Sequence, residues 1–204
     1  MPRNKLKKFK EFDSLSNTLQ FDDLDIKSKL DSFTNNKNII LELACGKAEY
    51  ALALAKQNPD KIIIAIDIQG ERLWHGAKFA LDNNINNILF LRIQIEDLVK
   101  YFEANSVSEI WITFPDPFPR KSQIKKRLTS PRFLKIYKNI LKINNIIHLK
   151  TDDEKLYKYS LESVADFGGR IISKKQDSLL DTQSYFEAKH IKNNKTIYYF
   201  GCKI

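Results

Sequence analysis

Residues 38–68 read NIILELACGKAEYALALAKQNPDKIIIAIDI: an apolar run, a turn of small residues, a helical stretch that stops before Pro59, and a second apolar run. The two apolar runs are nearly continuous rather than alternating. A strand written that way is buried on both faces, which is the condition of a parallel sheet covered by its own crossover helices. Outward from this unit the pattern continues. A helical run spans Glu71 to about Asn83, followed by the apolar segments ILFLRI (88–93) and EIWITF (109–114). A helical stretch PRFLKIYKNILK (131–142) then precedes NIIHLKT (145–151), and DDEKLYKYSLESVADF runs to Gly168 and Gly169, which suit a helix C-cap. Strand and helix alternate, so the expected class is α/β with a mostly parallel central sheet. RIISKKQ (170–176) and KTIYYFGCK (195–203) lack a long helix between them and are expected to form an antiparallel C-terminal edge pair.

The chain has 204 residues, enough for one domain burying roughly 70% of its unfolded surface. Residues 31–204 are read as that single domain. Residues 1–30 are polar and charged without clear periodicity, and suggest an arm that is partly ordered or orders on binding; its tip carries Arg3, Lys5, Lys7, Lys8 and Lys10. No apolar run approaches the roughly 20 residues of a membrane helix, and the basic N-terminus lacks the apolar stretch of a secretory signal, so a cytoplasmic protein is expected. Cys45 and Cys202 are far apart, and His75, His148 and His190 are scattered, so neither a disulfide framework nor a metal site is expected.

Charge is distributed unevenly. From Arg120 to Lys142 there are nine Lys or Arg and no Asp or Glu, and with 34 basic and 25 acidic residues overall this segment holds the whole net charge of +9. Such concentration suits neutralising phosphates and releasing their counterions. Lys121, Lys125, Lys126 and Arg127 are the candidate phosphate contacts.

In a doubly wound sheet, ligands bind beyond the carboxyl ends of the strands, and four motifs fall there. Glu42 and Leu43 finish the first strand, and Ala44 to Ala48 form the turn around Gly46. The glycine positions of a dinucleotide fingerprint hold Ala44, Gly46 and Glu49, and an anionic Glu49 disfavours a pyrophosphate. A sulfonium cofactor, S-adenosylmethionine, needs no phosphate grip, and Glu42 suits its cationic methionine end. Asp67 ends the second strand 21 residues after Gly46, where a carboxylate accepts from ribose hydroxyls. Gln94 follows the third strand as a candidate for an adenine edge. The fourth delivers Thr113-Phe-Pro-Asp-Pro-Phe-Pro119, whose prolines restrict a turn presenting Asp116.

Together, ELACGKAEY, AIDIQ, TFPDPFPRK with KKRLT, HLKTD and SYFE before IYY resemble the bacterial single-chain tRNA (guanine-N(7)-)-methyltransferases, from about Asn38 to the C-terminus. The resemblance implies a Rossmann-like class I methyltransferase fold and methyl transfer from S-adenosyl-L-methionine to N7 of guanine 46 in the tRNA variable loop. It implies tRNA as partner, with no membrane and no obligatory protein partner. It also implies that Glu42 and Asp67 are cofactor ligands, that Asp116 serves cofactor binding and catalysis, and that Arg120, Asp152 and Ser184, Tyr185, Phe186 and Glu187 meet the tRNA. Departures from the family pattern are the alanines at 44 and 48, which narrow the cofactor turn, Gln94 at a position usually acidic or amide, and Arg120 where lysine is common. Two other readings compete: a methyltransferase acting on an exocyclic nitrogen, disfavoured by the D-P-F-P order, and a non-catalytic RNA-binding module.

Overall fold

The computed structural model describes residues 2–35, 37–174 and 196–204. Its centre is one eight-stranded sheet, built from β1 (Thr18–Gln20), β2 (Ile39–Leu43), β3 (Ile62–Asp67), β4 (Ile88–Arg92), β5 (Val107–Thr113), β6 (Leu141–Thr151), β7 (Arg170–Ser173) and β8 (Tyr198–Lys203). The order is β1-β4-β3-β2-β5-β6-β8-β7. Every pair is parallel except β8 with its two neighbours. The expected antiparallel edge is therefore present, with β8 inserted between β6 and β7.

Helices cover both faces: α1 (Pro2–Phe12), α2 (Ile26–Thr34), α3 (Glu49–Gln57), α4 (Gly70–Asp82), the single turn α5 (Leu98–Tyr101), α6 (Pro131–Ile140) and α7 (Glu154–Asp166). Because side chains alternate across a strand, each apolar run feeds two cores. Ile39, Leu41 and Leu43 with Ile62, Ile64 and Ile66 join the layer of α2, α6 and α7, whereas Ile40, Ile63 and Ala65 join that of α1, α3 and α4. That explains why the strands read as unbroken hydrophobic stretches. At the end of α7, Gly168 takes φ +85°, and Gly169 N–H donates to Val164 O at 2.8 Å and Gly168 N–H to Ala165 O at 2.9 Å. This is the paired closure that a left-handed glycine permits.

Two differences from the sequence expectation stand out. The first concerns the stretch read as an arm. Residues 2–12 form a helix lying on α4, and β1 adds a strand beside β4. Phe12 is fully buried, and Phe9 stacks on the Arg92 guanidinium, 4.5 Å from ring centroid to Cζ, while Phe21 stacks on the same guanidinium at 4.8 Å. Lys8 adds a contact to α4, with its Nζ 3.0 Å from His75 Nε2 and over the Trp74 ring. The second concerns the boundary after α6. The helix ends at Ile140 and β6 starts at once, because Leu141 has extended backbone and pairs with Val107. No described helix is long and apolar enough to cross a membrane.

Candidate active site

Strand order reverses at β2, which has β3 on one side and β5 on the other. The crevice beyond the carboxyl ends of β2, β3, β4 and β5 is therefore the topological switch point. The turn after β2 is tightly wound: Ala44, Gly46 and Ala48 take φ of 55°, 59° and 58°. Alanine is strained there by roughly 1–2 kcal/mol, and the fold tolerates it. A side chain at Gly46 would meet nothing within 4 Å. The close approach falls instead at Gly76 of α4, where a Cβ would lie 2.7 Å from Lys47 O and 2.6 Å from the Phe90 ring.

Glu42 is 1% exposed and faces the α3 side of the sheet. Its Oε2 accepts from Ala51 N–H at 2.7 Å and its Oε1 from the Thr113 hydroxyl at 2.5 Å. Burial outweighs these two bonds and pushes its pKa up to about 8. Asp67, at the end of β3, accepts from Gly46 N–H and from Gln69 N–H, each at 2.9 Å. These two bonds lock its carboxylate against the β2 turn, and each oxygen keeps further acceptor capacity. The Cys45 thiol sits in the same turn, and burial, with Glu42 and Asp67 adding to it, holds its pKa well above the usual range. A thiol held in its protonated form is a poor nucleophile.

After β5 the chain turns sharply, with Phe114 and Phe118 at φ of 48° and 43°. Phe114 N–H donates to Lys150 O at 2.7 Å, which ties the turn to the end of β6. Asp116 is exposed at its tip.

Two adjoining cavities open here. One, of about 280 Å³, is lined by Glu42, Cys45, Gly46, Arg72, Thr113 and Asp116 among others. The second, of about 360 Å³, is lined by Asp67, Ile68, Gln94, Phe118, Lys126 and Leu128 among others. Ala44 and Asp116 line both. The structure thus brings Glu42, Gly46, Asp67, Gln94 and Asp116 to one crevice. Arg72 and Thr113 escaped the sequence reading. Thr113 carried a signal, a hydroxyl closing an apolar strand. Arg72, on the helix leaving β3, carried none that distinguishes it from a surface cation.

The candidates for RNA contact separate. Arg120 and Lys121 are exposed, as are Lys125 and Lys126, the last of which also borders the second cavity. Asp152 is half-buried just after β6, beside Asp153, which caps α7 by accepting from Leu156 N–H at 2.7 Å. Neither Arg120 nor Asp152 lines the two cavities. Ser184, Tyr185, Phe186 and Glu187 lie outside the described residues. Arg127 departs from its assignment as a phosphate contact. It is only 8% exposed, and its guanidinium is engaged by the protein itself.

A family model described as "Putative methyltransferase" matches residues 36–200. The chain is 41% identical to the tRNA (guanine-N(7)-)-methyltransferase of Christiangramia forsetii, across 99% of this chain and 98% of that protein. It is 35% identical to the enzyme of the same name from Bacteroides fragilis, across 98% and 85%. Among solved structures, the 16S rRNA methyltransferase KamB superposes with a TM-score of 0.65 at 13% identity, over 85% of this chain and 91% of that one. A 16S rRNA (adenine(1408)-N(1))-methyltransferase from Catenulisporales acidiphilia, crystallised with its cosubstrate SAM, superposes at 0.63 with 12% identity, over 88% and 91%. At such identities these structures speak for the fold alone.

Proposed function

The chain belongs to the tRNA (guanine-N(7)-)-methyltransferase family, and we propose that it transfers the methyl group of S-adenosyl-L-methionine to N7 of guanine 46 in the tRNA variable loop. The observation that carries the site reading is that Asp116 and Ala44 border both cavities, with Glu42 in one and Asp67 and Gln94 in the other. That division fits a cofactor with a cationic amino-acid end and a nucleoside end. Glu42 is the carboxylate for the methionine end. Asp67 is oriented for the ribose, and Gln94 borders the more apolar cavity beside Ile68 and Ile95, a fit for an adenine.

When bound, the cofactor supplies an electrophilic methyl group on a sulfonium. Guanine N7 has an in-plane lone pair and no proton, so no general base is required of the protein. Its task is alignment, which can be worth about 7–11 kcal/mol. Asp116, where the two cavities meet, orients the base and stabilises the positive charge that develops on it. Arg120, Lys121, Lys125 and Lys126 supply exposed cations for the flanking phosphates, in keeping with a target base drawn out of its stack. Asp152 and residues 184–187 are proposed to meet the guanine and its neighbours.

The test is incubation of the purified protein with unmodified tRNA transcripts and methyl-labelled S-adenosylmethionine, followed by nucleoside mass spectrometry and mapping. 7-Methylguanosine at position 46 is the expected product. Label on an exocyclic nitrogen, or tight tRNA binding without label, would overturn the reading.

A further inference from the structure

Within the basic stretch that follows Asp116, one cation points inward. Arg127 Nε donates to Pro117 O at 3.0 Å and its Nη2 to Phe118 O at 3.2 Å. The guanidinium Cζ lies over the Tyr159 ring of α7, 4.4 Å from its centroid. Its main chain is fixed as well, with Arg127 N–H donating to Ile124 O at 3.0 Å and Ser130 N–H to Arg127 O at 2.9 Å. Arg127 thus joins three pieces: the turn carrying Asp116, the basic segment, and α7.

We propose that Arg127 is a positioning residue for methyl transfer, which acts by holding Pro117 and Phe118 so that Asp116 stays where the two cavities meet. This inference rests on the functional reading above. Phe118 has φ of 43°, a conformation a non-glycine residue keeps only when its surroundings impose it. Its carbonyl and that of Pro117 belong to consecutive residues, immediately after Asp116. A planar guanidinium offers several donors in fixed relative geometry and can engage both carbonyls while stacking on an aromatic ring; an ammonium presents a point charge and cannot do all three. Proline removes backbone donors at 115, 117 and 119, so the turn cannot close itself by its own N–H groups at those positions and draws its donors from a side chain. Because these donors are committed and the group is 8% exposed, Arg127 is not available to a phosphate in this arrangement.

The experiment compares wild type with Arg127→Lys, Arg127→Ala, Tyr159→Ala and, as the contrasting surface cation, Lys126→Ala. Three quantities are read: kcat with tRNA and cofactor saturating, tRNA affinity across a salt series, and amide exchange over residues 114–121. Arg127→Lys is expected to lower kcat by about 10-fold or more, since small misplacements of a reacting group cost on that scale. Its tRNA affinity and salt slope should match wild type, while exchange over 114–121 rises and that of β2 and β3 does not. Tyr159→Ala should do the same more weakly, and Lys126→Ala, which removes an exposed phosphate contact, should reduce the salt slope. The inference is overturned if Arg127→Lys keeps wild-type kcat, if it flattens the salt slope by about one unit as loss of a phosphate contact would, or if its loss of kcat follows only its folded fraction. Should Arg127→Ala fail to fold, the lysine and Tyr159 variants still decide. A wild-type protein that makes no 7-methylguanosine would sink the functional reading, whereas the exchange data would still decide whether Arg127 orders the turn.

Discussion

Because burial, at 1% exposure, outweighs the two hydrogen bonds its oxygens accept, Glu42 keeps its proton until about pH 8 in the ligand-free protein. A cationic ligand beside it favours the ionised form, so binding must expel that proton at neutral pH. Cofactor affinity, measured by calorimetry, is therefore expected to rise with pH between about 5 and 8, by up to tenfold per unit. Glu42→Gln should bind more weakly and without that slope. A wild-type affinity independent of pH over this range would remove Glu42 from the cationic end. Asp116 has a different signature, since it is exposed and lies at the meeting point of the cavities. Asp116→Ala is expected to lower kcat roughly 100-fold or more while tRNA affinity stays near wild type. Near-normal turnover would exclude it from the chemistry.

Among the elements, the segment after β5 changes role residue by residue. Lys121–Lys126 forms a short 3₁₀ stretch with Lys121, Lys125 and Lys126 exposed, and α6 begins at Pro131, whose missing N–H costs nothing at a helix start. The proposed electrostatic grip draws on these exposed cations of the 3₁₀ stretch. Lys125→Ala with Lys126→Ala is expected to weaken binding of all tRNAs alike and to reduce the salt slope by roughly two units. An unchanged slope in filter binding from low to moderate salt would refute it. The first helix teaches a related lesson. Its lysines dominate its composition, yet Phe9 and Phe12, three residues apart on one face, dock it together with Lys8, which meets His75 and Trp74. That i, i+3 spacing was visible in KKFKEF, but Arg92, the partner of Phe9, lies 83 positions on.

At the scale of the molecule, two carboxylates, Glu42 buried and Glu109 half-buried, set opposite limits on stability. Glu109 meets the Lys61 ammonium at 3.2 Å and His148 Nε2 at 3.6 Å. Burial would raise its pKa, but these partners hold it down to about 2. A depressed carboxylate stabilises the fold above its unfolded value near 4.5, and that contribution is lost as pH falls through about 2. Glu42 has the reverse sign. Its stabilisation is complete below about 4.5 and is lost as pH rises through about 8. Glu109→Gln is thus expected to lower stability at pH 7 by about 1–2 kcal/mol, discounted for partial solvent screening, with the difference from wild type vanishing near pH 2. Glu42→Gln should flatten the decline on the alkaline side. Urea unfolding across pH checks both, and parallel curves for wild type and variants would refute the assignments.

Local sequence determined the parallel α/β class and the placement of Glu42, Asp67, Gln94 and Asp116 at strand ends. Strands buried on both faces must be apolar along their length, and a topology of parallel strands sends all their carboxyl ends to one edge. Those are consequences of short-range pattern. Only the tertiary structure decided that residues 2–20 belong to the body of the fold, that Asp116 borders both halves of the crevice, and that Arg127 faces inward while Lys125 and Lys126 face out. Within KKRLT the three cations are equivalent as charges. What separates them is the position of the Pro117 and Phe118 carbonyls and the Tyr159 ring, 9 to 32 residues away, and contacts of that range form only once the sheet has brought β5 and α7 together.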